Sequence, residues 1–207
     1  MKIGIYYYAT KVYKDFFDGF YNSLDNFFPG HEKKVILFTD DTENKYKDMP
    51  NVEWHYINHY PWPIVSLYKF YRTLENLKDE FDIIFHFNSN IVFKENVNYD
   101  YLYKLINNHK IIGINHYYDN PYHNPFDKNL RYIHGGVWGG EFNCIKQMLI
   151  GHTKLLDYYI NEKHVIPQWH DETIFNEWYS KNPNKLVPID CHKYLTILDK
   201  HDKRIRN

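Results

Sequence analysis

Two adjacent carboxylates at Asp171 and Glu172 follow an indole and an imidazole in the segment Trp169-His170-Asp171-Glu172. Such a group can act as an acid or base, or stabilise developing positive charge, while the indole offers a flat face on which a sugar can stack. Acidic residues in the first turn of a helix also interact with the helix dipole. The segment alone therefore leaves a structural and a catalytic interpretation open.

A polar triplet, Asn88-Ser89-Asn90, follows the apolar segment 82–87. Aspartates at these positions would suit a divalent metal and a nucleotide-sugar diphosphate, but asparagine is neutral and a weak ligand for a hard cation. The triplet therefore does not predict a magnesium or manganese site. Its amides can still bond to ribose or sugar hydroxyls, and an asparagine-rich turn is the alternative interpretation.

A glycine-rich segment, residues 132–140, contains the pairs Gly135-Gly136 and Gly139-Gly140. Because glycine has no side chain, backbone here could approach a ligand closely, with His134 and Trp138 bordering that space. The alternative is a glycine-rich turn between two strands.

The last eight residues contain four bases and one acid. The bases are Lys200, Lys203, Arg204 and Arg206. A basic terminus of this kind can fold over a diphosphate and supply positive charge, although a solvated charged tail is the common alternative.

These segments are embedded in an alternation of strand and helix patterns. Apolar runs predict strands over 2–8, 34–39, 52–57, 82–87 and 110–115, with short strands near Val187 and over 195–198. Helical spacing predicts helices over 15–28, 62–79, 99–108, 141–162 and 169–180. Residues 116–131 are rich in Asn, Asp, Pro and Tyr and predict an irregular surface loop. The alternation predicts a single α/β domain with a mostly parallel sheet and a ligand site at the carboxyl ends of its strands.

The composition excludes several classes of function. With 25 basic and 26 acidic residues among 207, the chain has no global charge to hold nucleic acid or an anionic membrane, so we expect neither as a partner. Cys144 and Cys191 lack metal spacing and predict no disulfide framework. No apolar run approaches ~18 residues, so we expect a soluble, unprocessed cytoplasmic protein without a membrane anchor. The 21 Tyr, 14 Phe and 5 Trp make up 19% of a chain whose mean hydropathy is −0.66, so many rings are expected to be partly exposed.

Taken together and in this order, segments spread over nearly the whole chain resemble glycosyltransferase family 6. This family comprises the retaining α-1,3-galactosyl and N-acetylgalactosaminyl transferases that include the ABO blood-group enzymes. The matching segments lie at 8–13, 35–40, 62–70, 88–90, 134–140 and 167–172. The Trp-His-Asp-Glu block followed by Asn176 and Tyr179 is the most specific of them.

The resemblance implies a GT-A fold over residues 1–207. Residues of about 1–115 would form the nucleotide-binding half, about 116–199 the acceptor-binding and catalytic half, and 200–207 a basic closing tail. The implied reaction is retaining transfer of GalNAc or Gal from a UDP-sugar, in α-1,3 linkage, to a β-galactoside that can be fucosylated. The small residue at Gly136 slightly favours UDP-GalNAc, because an acetamido group needs space, while His134 is typical of galactosyl enzymes.

The resemblance also implies site residues. Glu172 matches the family's catalytic glutamate, which could attack the anomeric carbon or stabilise an oxocarbenium-like state. The donor would be bound by Tyr8, Ala9, Thr10 and Tyr13 at the uracil and ribose, and further by Lys69, Asn88, Ser89, Asn90, His134, Gly135, Gly136, Asp171, Lys200 and Arg206. The acceptor would be bound by His116, Trp138 and Trp169.

Two of these positions depart from the most familiar pattern. Lys69 stands where the family usually has an arginine, which keeps the charge but loses the planar fork. Asn88-Ser89-Asn90 replaces an Asp-x-Asp metal motif, as in microbial relatives, so we expect transfer without a metal or other cofactor.

Two other interpretations of the function remain open. A metal-dependent GT-A transferase of another family would use Asp40-Asp41 or Asp171-Glu172 to hold the ion. A degenerate sugar-binding module would account for the aromatic surplus and the missing aspartates without any catalysis.

Overall fold

The computed structural model describes residues 1–43, 45–94, 99–108, 110–115, 123–190 and 195–197. Five α-helices lie within these residues: α1 (Phe17–Asn22), α2 (Ile64–Glu75), α3 (Tyr99–Asn107), α4 (Phe142–Asp157) and α5 (Asp171–Lys181). The strands there are β1 (Lys2–Ala9), β2 (Glu32–Thr39), β3 (Val52–Tyr56), β4 (Ile83–Asn88), β5 (Ile91–Phe93), β6 (Ile111–Asn115), β7 (His123–Asn124), β8 (Asp127–Arg131), β9 (Ile133–Glu141), β10 (Leu186–Ile189) and β11 (Leu195–Ile197).

Seven of the strands form one central sheet in the order β10-β6-β9-β4-β1-β2-β3. Neighbouring strands run parallel except at β9, which is antiparallel to both β4 and β6. Two small two-stranded sheets, β11-β5 and β7-β8, accompany it. The predicted α/β class with a mostly parallel sheet is confirmed, and the arrangement is consistent with a GT-A-like fold.

The first strand shows why the sheet is covered on both faces. Side chains of a strand alternate between faces, and both sets are apolar in β1, as expected for a buried parallel strand. Ile3, Ile5 and Tyr7 pack into one core with residues of α1 and α3. Tyr6 packs into the other core with residues of α2, α4 and α5. The central strands are therefore fixed from both sides, and their carboxyl ends are held rigidly.

The predicted helix over 15–28 is broken into three short pieces. Residues Lys11–Phe16 form a 3₁₀ turn, α1 follows, and Leu24–Asn26 form a second 3₁₀ turn. The break comes at Ser23, whose hydroxyl donates to the Phe20 carbonyl and accepts the Phe93 N–H, so it joins β5 instead of continuing the helix. Serine competes with the backbone in this way at helix ends.

The glycine-rich segment is a strand and not a turn. It forms β9, which lies between β4 and β6 at the centre of the sheet. A side chain at Gly139 would overlap the ring of Phe85 on the neighbouring strand, so the glycine accommodates an aromatic side chain across the ladder.

Three further differences concern element boundaries. Within the predicted loop 116–131, residues 123–131 form the β7-β8 hairpin, while 116–122 lie outside the described residues. The helix predicted over 141–162 is helical to Asp157 and continues as a π-helical turn over Tyr158–Glu162. The helix predicted to begin at Trp62 begins at Ile64. Across the described ranges, none of the helices has the length and apolarity needed to cross a membrane.

Candidate active site

A cleft of about 570 Å³ opens where β1 and β4 end and α5 begins. Clefts at the carboxyl ends of the strands are the usual ligand sites of open α/β sheets. The cleft is lined by Tyr8, Thr10, Lys11, Val12, Tyr13, His59, Trp62, Val65, Ser66, Lys69, His86, Asn88, Ser89, Asn90, Gly136, Asp171 and Glu172.

Glu172, the predicted catalytic residue, is the second residue of α5 and faces this cleft. Its Oε2 accepts a hydrogen bond from the Tyr132 hydroxyl at 2.6 Å, and its Oε1 accepts one from the Gly135 N–H at 3.4 Å. The His134 Nε2 lies 3.6 Å from Oε1. Burial and the adjacent Glu172 charge raise the pKa of Tyr132 well above its usual value, so the phenol remains a donor.

Asp171, the residue before it, has a different environment. The ammonium of Lys69 donates to Asp171 Oδ2 at 2.6 Å and to the Gly135 carbonyl at 2.8 Å. Lys69 is only 4% exposed, so this is a buried ion pair that ties α2 to both α5 and β9. Its charge is satisfied by the protein even though Lys69 and Asp171 both line the cleft.

A buried amide sets the position of α5 against β9. The Asn176 side chain accepts the Ile133 N–H and donates to the Ile133 carbonyl, each at 2.9 Å. It also donates to the Glu172 carbonyl at 2.9 Å, one turn earlier in the same helix. These two hydrogen bonds to the strand place the Glu172 side chain opposite Tyr132 and Gly135.

The glycine pair Gly135-Gly136 lets α5 and β9 lie close to each other. A Cβ at Gly135 would overlap Asp171 Oδ2 and lie 3.1 Å from Glu172 Cγ. A Cβ at Gly136 would overlap the Asn88 amide and lie 2.5 Å from His134 Cε1. The missing side chains therefore accommodate the protein's own polar groups at the cleft floor.

The predicted triplet lies at the end of β4. Asn88, Ser89 and Asn90 all line the cleft, and the Ser89 carbonyl accepts the Tyr7 hydroxyl at 2.5 Å. The amide of Asn88 packs against Gly136, so β4 and β9 together form the floor.

The four residues predicted to bind the uracil and ribose differ in how much of each side chain faces the cleft. Thr10 and Tyr13 line the cleft, and Tyr13 is 39% exposed. Tyr8 presents its ring, but its hydroxyl donates to the Lys69 carbonyl at 3.0 Å and lies 2.9 Å from Thr73 Oγ1. Ala9 is fully buried in β1, so only its backbone is near this end of the cleft.

The residues assigned to the acceptor have different positions. Trp169 is 58% exposed and stands two residues before α5. Trp138 is fully buried, with its ring stacked on His86 at 4.9 Å between centroids. The expectation that Trp138 borders an acceptor pocket is therefore corrected, because its side chain lies in the core with residues of α4 and α5. His116, Lys200 and Arg206, with Lys203 and Arg204, lie outside the described residues.

Several cleft residues were not predicted from the sequence. His59 lines the cleft, and so does Trp62, which is 69% exposed and packs on the His170 ring at 4.1 Å. Tyr132 is not part of the lining but bonds the Glu172 side chain. The signal for Tyr132 was its place at the start of the glycine-rich segment, and that for Trp62 was its place just before α2. His59 Nδ1 lies 3.2 Å from Thr10 Oγ1, a contact between segments far apart in the sequence that has no local signal.

The carboxylates that a metal-dependent enzyme would need already have protein partners. Asp40 accepts the Lys11 N–H at 3.0 Å and lies 3.5 Å from Lys14 Nζ. Asp41 accepts the backbone N–H groups of Glu43 and Lys45.

Comparison with known proteins gives one informative relative. No protein-family model matches the chain. The chain is 28% identical over 209 residues to the O-antigen biosynthesis glycosyltransferase WbnI of Escherichia coli, an alignment that covers 90% of this chain and 86% of that protein. This similarity supports a transferase of the glycosyltransferase class.

Proposed function

We propose that this protein is a retaining glycosyltransferase that moves GalNAc or Gal from a UDP-sugar, in α-1,3 linkage, to a β-galactoside, including fucosylated ones. The observation that carries the proposal is the Glu172 carboxylate facing the cleft, with Tyr132 bonded to one oxygen and the Gly135 N–H near the other. The resemblance to glycosyltransferase family 6 supplies the reaction class. The WbnI relative supports the coarser assignment independently.

Glu172 acts on the anomeric carbon of the donor in this proposal. In one route its carboxylate oxygen forms a bond to that carbon while the bond to the UDP oxygen breaks, and the acceptor hydroxyl then displaces the carboxylate. In the other route the carboxylate stabilises an oxocarbenium-like state while the acceptor attacks from the side of the leaving group. Both routes retain the anomeric configuration.

Transfer without a metal is part of the proposal. Asn88 and Asn90 are neutral amides, which suit hydroxyl groups better than a hard cation. Asp171 is paired with Lys69, so it is poorly suited to hold an ion. We assign the neutralisation of the departing UDP to basic side chains, with Lys200 and Arg206 as candidates from the resemblance.

The donor preference in this proposal comes from the resemblance, in which a small residue at the position of Gly136 favours UDP-GalNAc. In the structure, the Asn88 amide and the His134 ring fill the space that a Cβ at Gly136 would take. The exposed indole of Trp169 is assigned to stacking on the acceptor galactose. Since the relative's name refers to O-antigen biosynthesis, we place the acceptor among the glycans of polysaccharide assembly.

A donor and acceptor screen tests the proposal. Purified protein is incubated with UDP-Gal or UDP-GalNAc and with lactose or 2′-fucosyllactose, with and without excess EDTA, and product linkage is read by NMR. We expect an α-1,3-linked product whose rate of formation EDTA does not change. Strict dependence on Mn²⁺ would overturn the metal-free mechanism, and the absence of both transfer and UDP-sugar hydrolysis would favour a sugar-binding module.

A further inference from the structure

Tyr132 makes the shortest hydrogen bond described to the Glu172 side chain. Its hydroxyl lies 2.6 Å from Oε2, which is the range of a charge-assisted O–H···O⁻ bond. Tyr132 immediately precedes β9, whereas Glu172 is the second residue of α5, so the bond joins residues 40 positions apart in the sequence.

The two ends of this bond are fixed by the surrounding structure. Asn176 bonds Ile133, the residue after Tyr132, and also the Glu172 carbonyl. The backbones on both sides are therefore held by one buried amide. The remaining freedom lies in the three side-chain torsions of Glu172, the last of which is broad and has no strong intrinsic preference.

We propose that Tyr132 is a positioning residue that binds Oε2 of Glu172, so that Oε1 is the oxygen presented to the anomeric carbon of the donor. This inference rests on the proposed function and deepens it. The contacts described for Oε1 are longer, with the Gly135 N–H at 3.4 Å and the His134 Nε2 at 3.6 Å, whereas the Tyr132 hydroxyl holds Oε2 at 2.6 Å. The two oxygens of one carboxylate are thereby made inequivalent before any substrate binds.

The role involves no proton transfer from Tyr132. When Oε1 forms its bond to the anomeric carbon, the bond from that carbon to the phosphate oxygen breaks and its electron pair leaves with UDP. Oε2 then becomes the carbonyl oxygen of the ester and continues to accept the phenol O–H. In the route without a covalent intermediate, the same bond fixes the direction in which the carboxylate charge faces the cation. Because burial raises the pKa of the phenol, it stays a donor throughout.

The test compares two tyrosine-to-phenylalanine variants. Tyr132→Phe removes the bond to Glu172, while Tyr159→Phe removes a matched 2.8 Å bond from a part-buried tyrosine to Glu177, further along the same helix. Measured quantities are kcat, the KM for the UDP-sugar, the dissociation constant of UDP by calorimetry, and the melting temperature.

We expect Tyr132→Phe to lower kcat by about tenfold to a hundredfold, as a misplaced catalytic group does, with the donor KM and UDP affinity within about twofold of wild type. UDP-sugar hydrolysis without acceptor falls in parallel, because the defect lies at the donor carbon. Tyr159→Phe keeps kcat within about twofold of wild type. Replacing Tyr132 with 3,5-difluorotyrosine, which keeps the hydroxyl, restores most of the lost kcat and covers the case in which Tyr132→Phe is unstable.

Three outcomes would contradict the inference. Equal kcat values for Tyr132→Phe and Tyr159→Phe would remove the positioning role. A raised donor KM with unchanged kcat would make Tyr132 a substrate-binding residue instead. A wild-type protein inactive with every donor overturns the proposed function and this inference together, whereas an active wild type with an unaffected Tyr132→Phe overturns the inference alone.

Discussion

The Lys69 ammonium lies 2.6 Å from the Asp171 carboxylate and is almost completely buried. The next residue, Glu172, is instead bonded by the neutral phenol of Tyr132 and a backbone N–H. Adjacent carboxylates with such different partners are suited to different tasks, a general pattern where one of two acids is catalytic. Asp171 thus ties α5 to α2 through an ion pair, whereas Glu172 is the residue to which we assign the chemistry.

The buried ion pair predicts a strong energetic coupling. Removing one partner leaves an uncompensated buried charge, so Lys69→Met is expected to lower the free energy of unfolding by about 3–5 kcal/mol. Lys69→Met combined with Asp171→Asn is expected to lose less than the sum of the two single variants. Urea unfolding of all four proteins measures this, and strictly additive losses would argue against the pairing.

The assignment of Glu172 predicts a selective loss. Glu172→Gln keeps the side-chain shape but removes the charge, so transfer is expected to fall by at least about a hundredfold. UDP affinity should stay near that of wild type, because the exchange is not at the nucleotide. Glu177→Gln, on the same helix but outside the cleft lining, is the control. Near-normal turnover by Glu172→Gln would remove the central assignment.

The close approach at Gly135 predicts that even one methyl group is harmful. Gly135→Ala places a Cβ against Asp171 Oδ2 and Glu172 Cγ, so both side chains must shift. We expect a fall of about a hundredfold in kcat/KM from this displacement. Gly19→Ala is the matched control, since the nearest atom to its Cβ is Val92 Cγ1 at 3.8 Å. Equal activity of the two variants would show that β9 can shift to accommodate the methyl group without loss of activity.

The exposed indole of Trp169 predicts a specific acceptor defect. Trp169→Ala is expected to raise the acceptor KM by about tenfold, as the loss of one aromatic anchor of 1–1.5 kcal/mol implies. The donor KM should not change. Tyr101→Ala, on α3, removes a ring of similar exposure from a helix that does not line the cleft. An acceptor KM that stays at the wild-type value would exclude stacking on Trp169.

A buried histidine outside the cleft lining predicts the response of stability to acid. His152 is fully buried among Phe70, Phe175 and Trp178, and burial lowers its pKa to about 3 from the ordinary 6.5. The unfolded chain therefore binds a proton below pH 6.5 that the folded protein does not bind until about pH 3. Stability is expected to be greatest above pH 6.5, and His152 alone is expected to lower it by about 1.4 kcal/mol per pH unit as the pH decreases below that value. His86 is also fully buried, and burial lowers its pKa well below the ordinary value, so it adds to the same decline.

The exchange His152→Phe isolates this contribution. It should reduce the slope of the free energy of unfolding between pH 6.5 and 4.5 by about 1.4 kcal/mol per pH unit, with the contribution of His86 remaining. The control His31→Phe, at an exposed position, should leave the slope as in wild type. The measurement is urea unfolding at a series of pH values. A wild-type slope in His152→Phe would assign the acid sensitivity to other groups.

The sequence predicts those elements and site residues that are marked by a pattern in the neighbouring residues of the chain. Apolar patterns predict the strands β1 and β4 and the helix α2 to within a few residues, because a continuous apolar run marks a strand buried on both faces and helical spacing marks an amphipathic helix. The polar triplet and the two carboxylates were expected at strand and helix ends, and the structure places them in one cleft.

What the sequence did not predict depends on contacts between distant segments. Gly139 suggests a turn until Phe85 is placed beside it on the neighbouring strand. Trp138 looks like a ligand platform until residues of α4 and α5 are packed over it in the core. Tyr132 is marked only by its place at the start of the glycine-rich segment, and its role depends on Glu172 lying opposite.

The central position of β9 has a consequence for how the chain acquires its structure during synthesis. The strand fills the gap between β6 and β4, yet it follows both of them in the sequence. Before residues 133–141 are synthesised, β4 and β6 therefore each carry an open edge that β9 later closes. Because unpaired edges invite wrong partners, the nascent chain is expected to be vulnerable to aggregation just before the glycine-rich segment emerges. The segment that forms the floor of the cleft is thus also the one whose arrival joins the two parts of the sheet, and β10 is added at the edge of β6 afterwards.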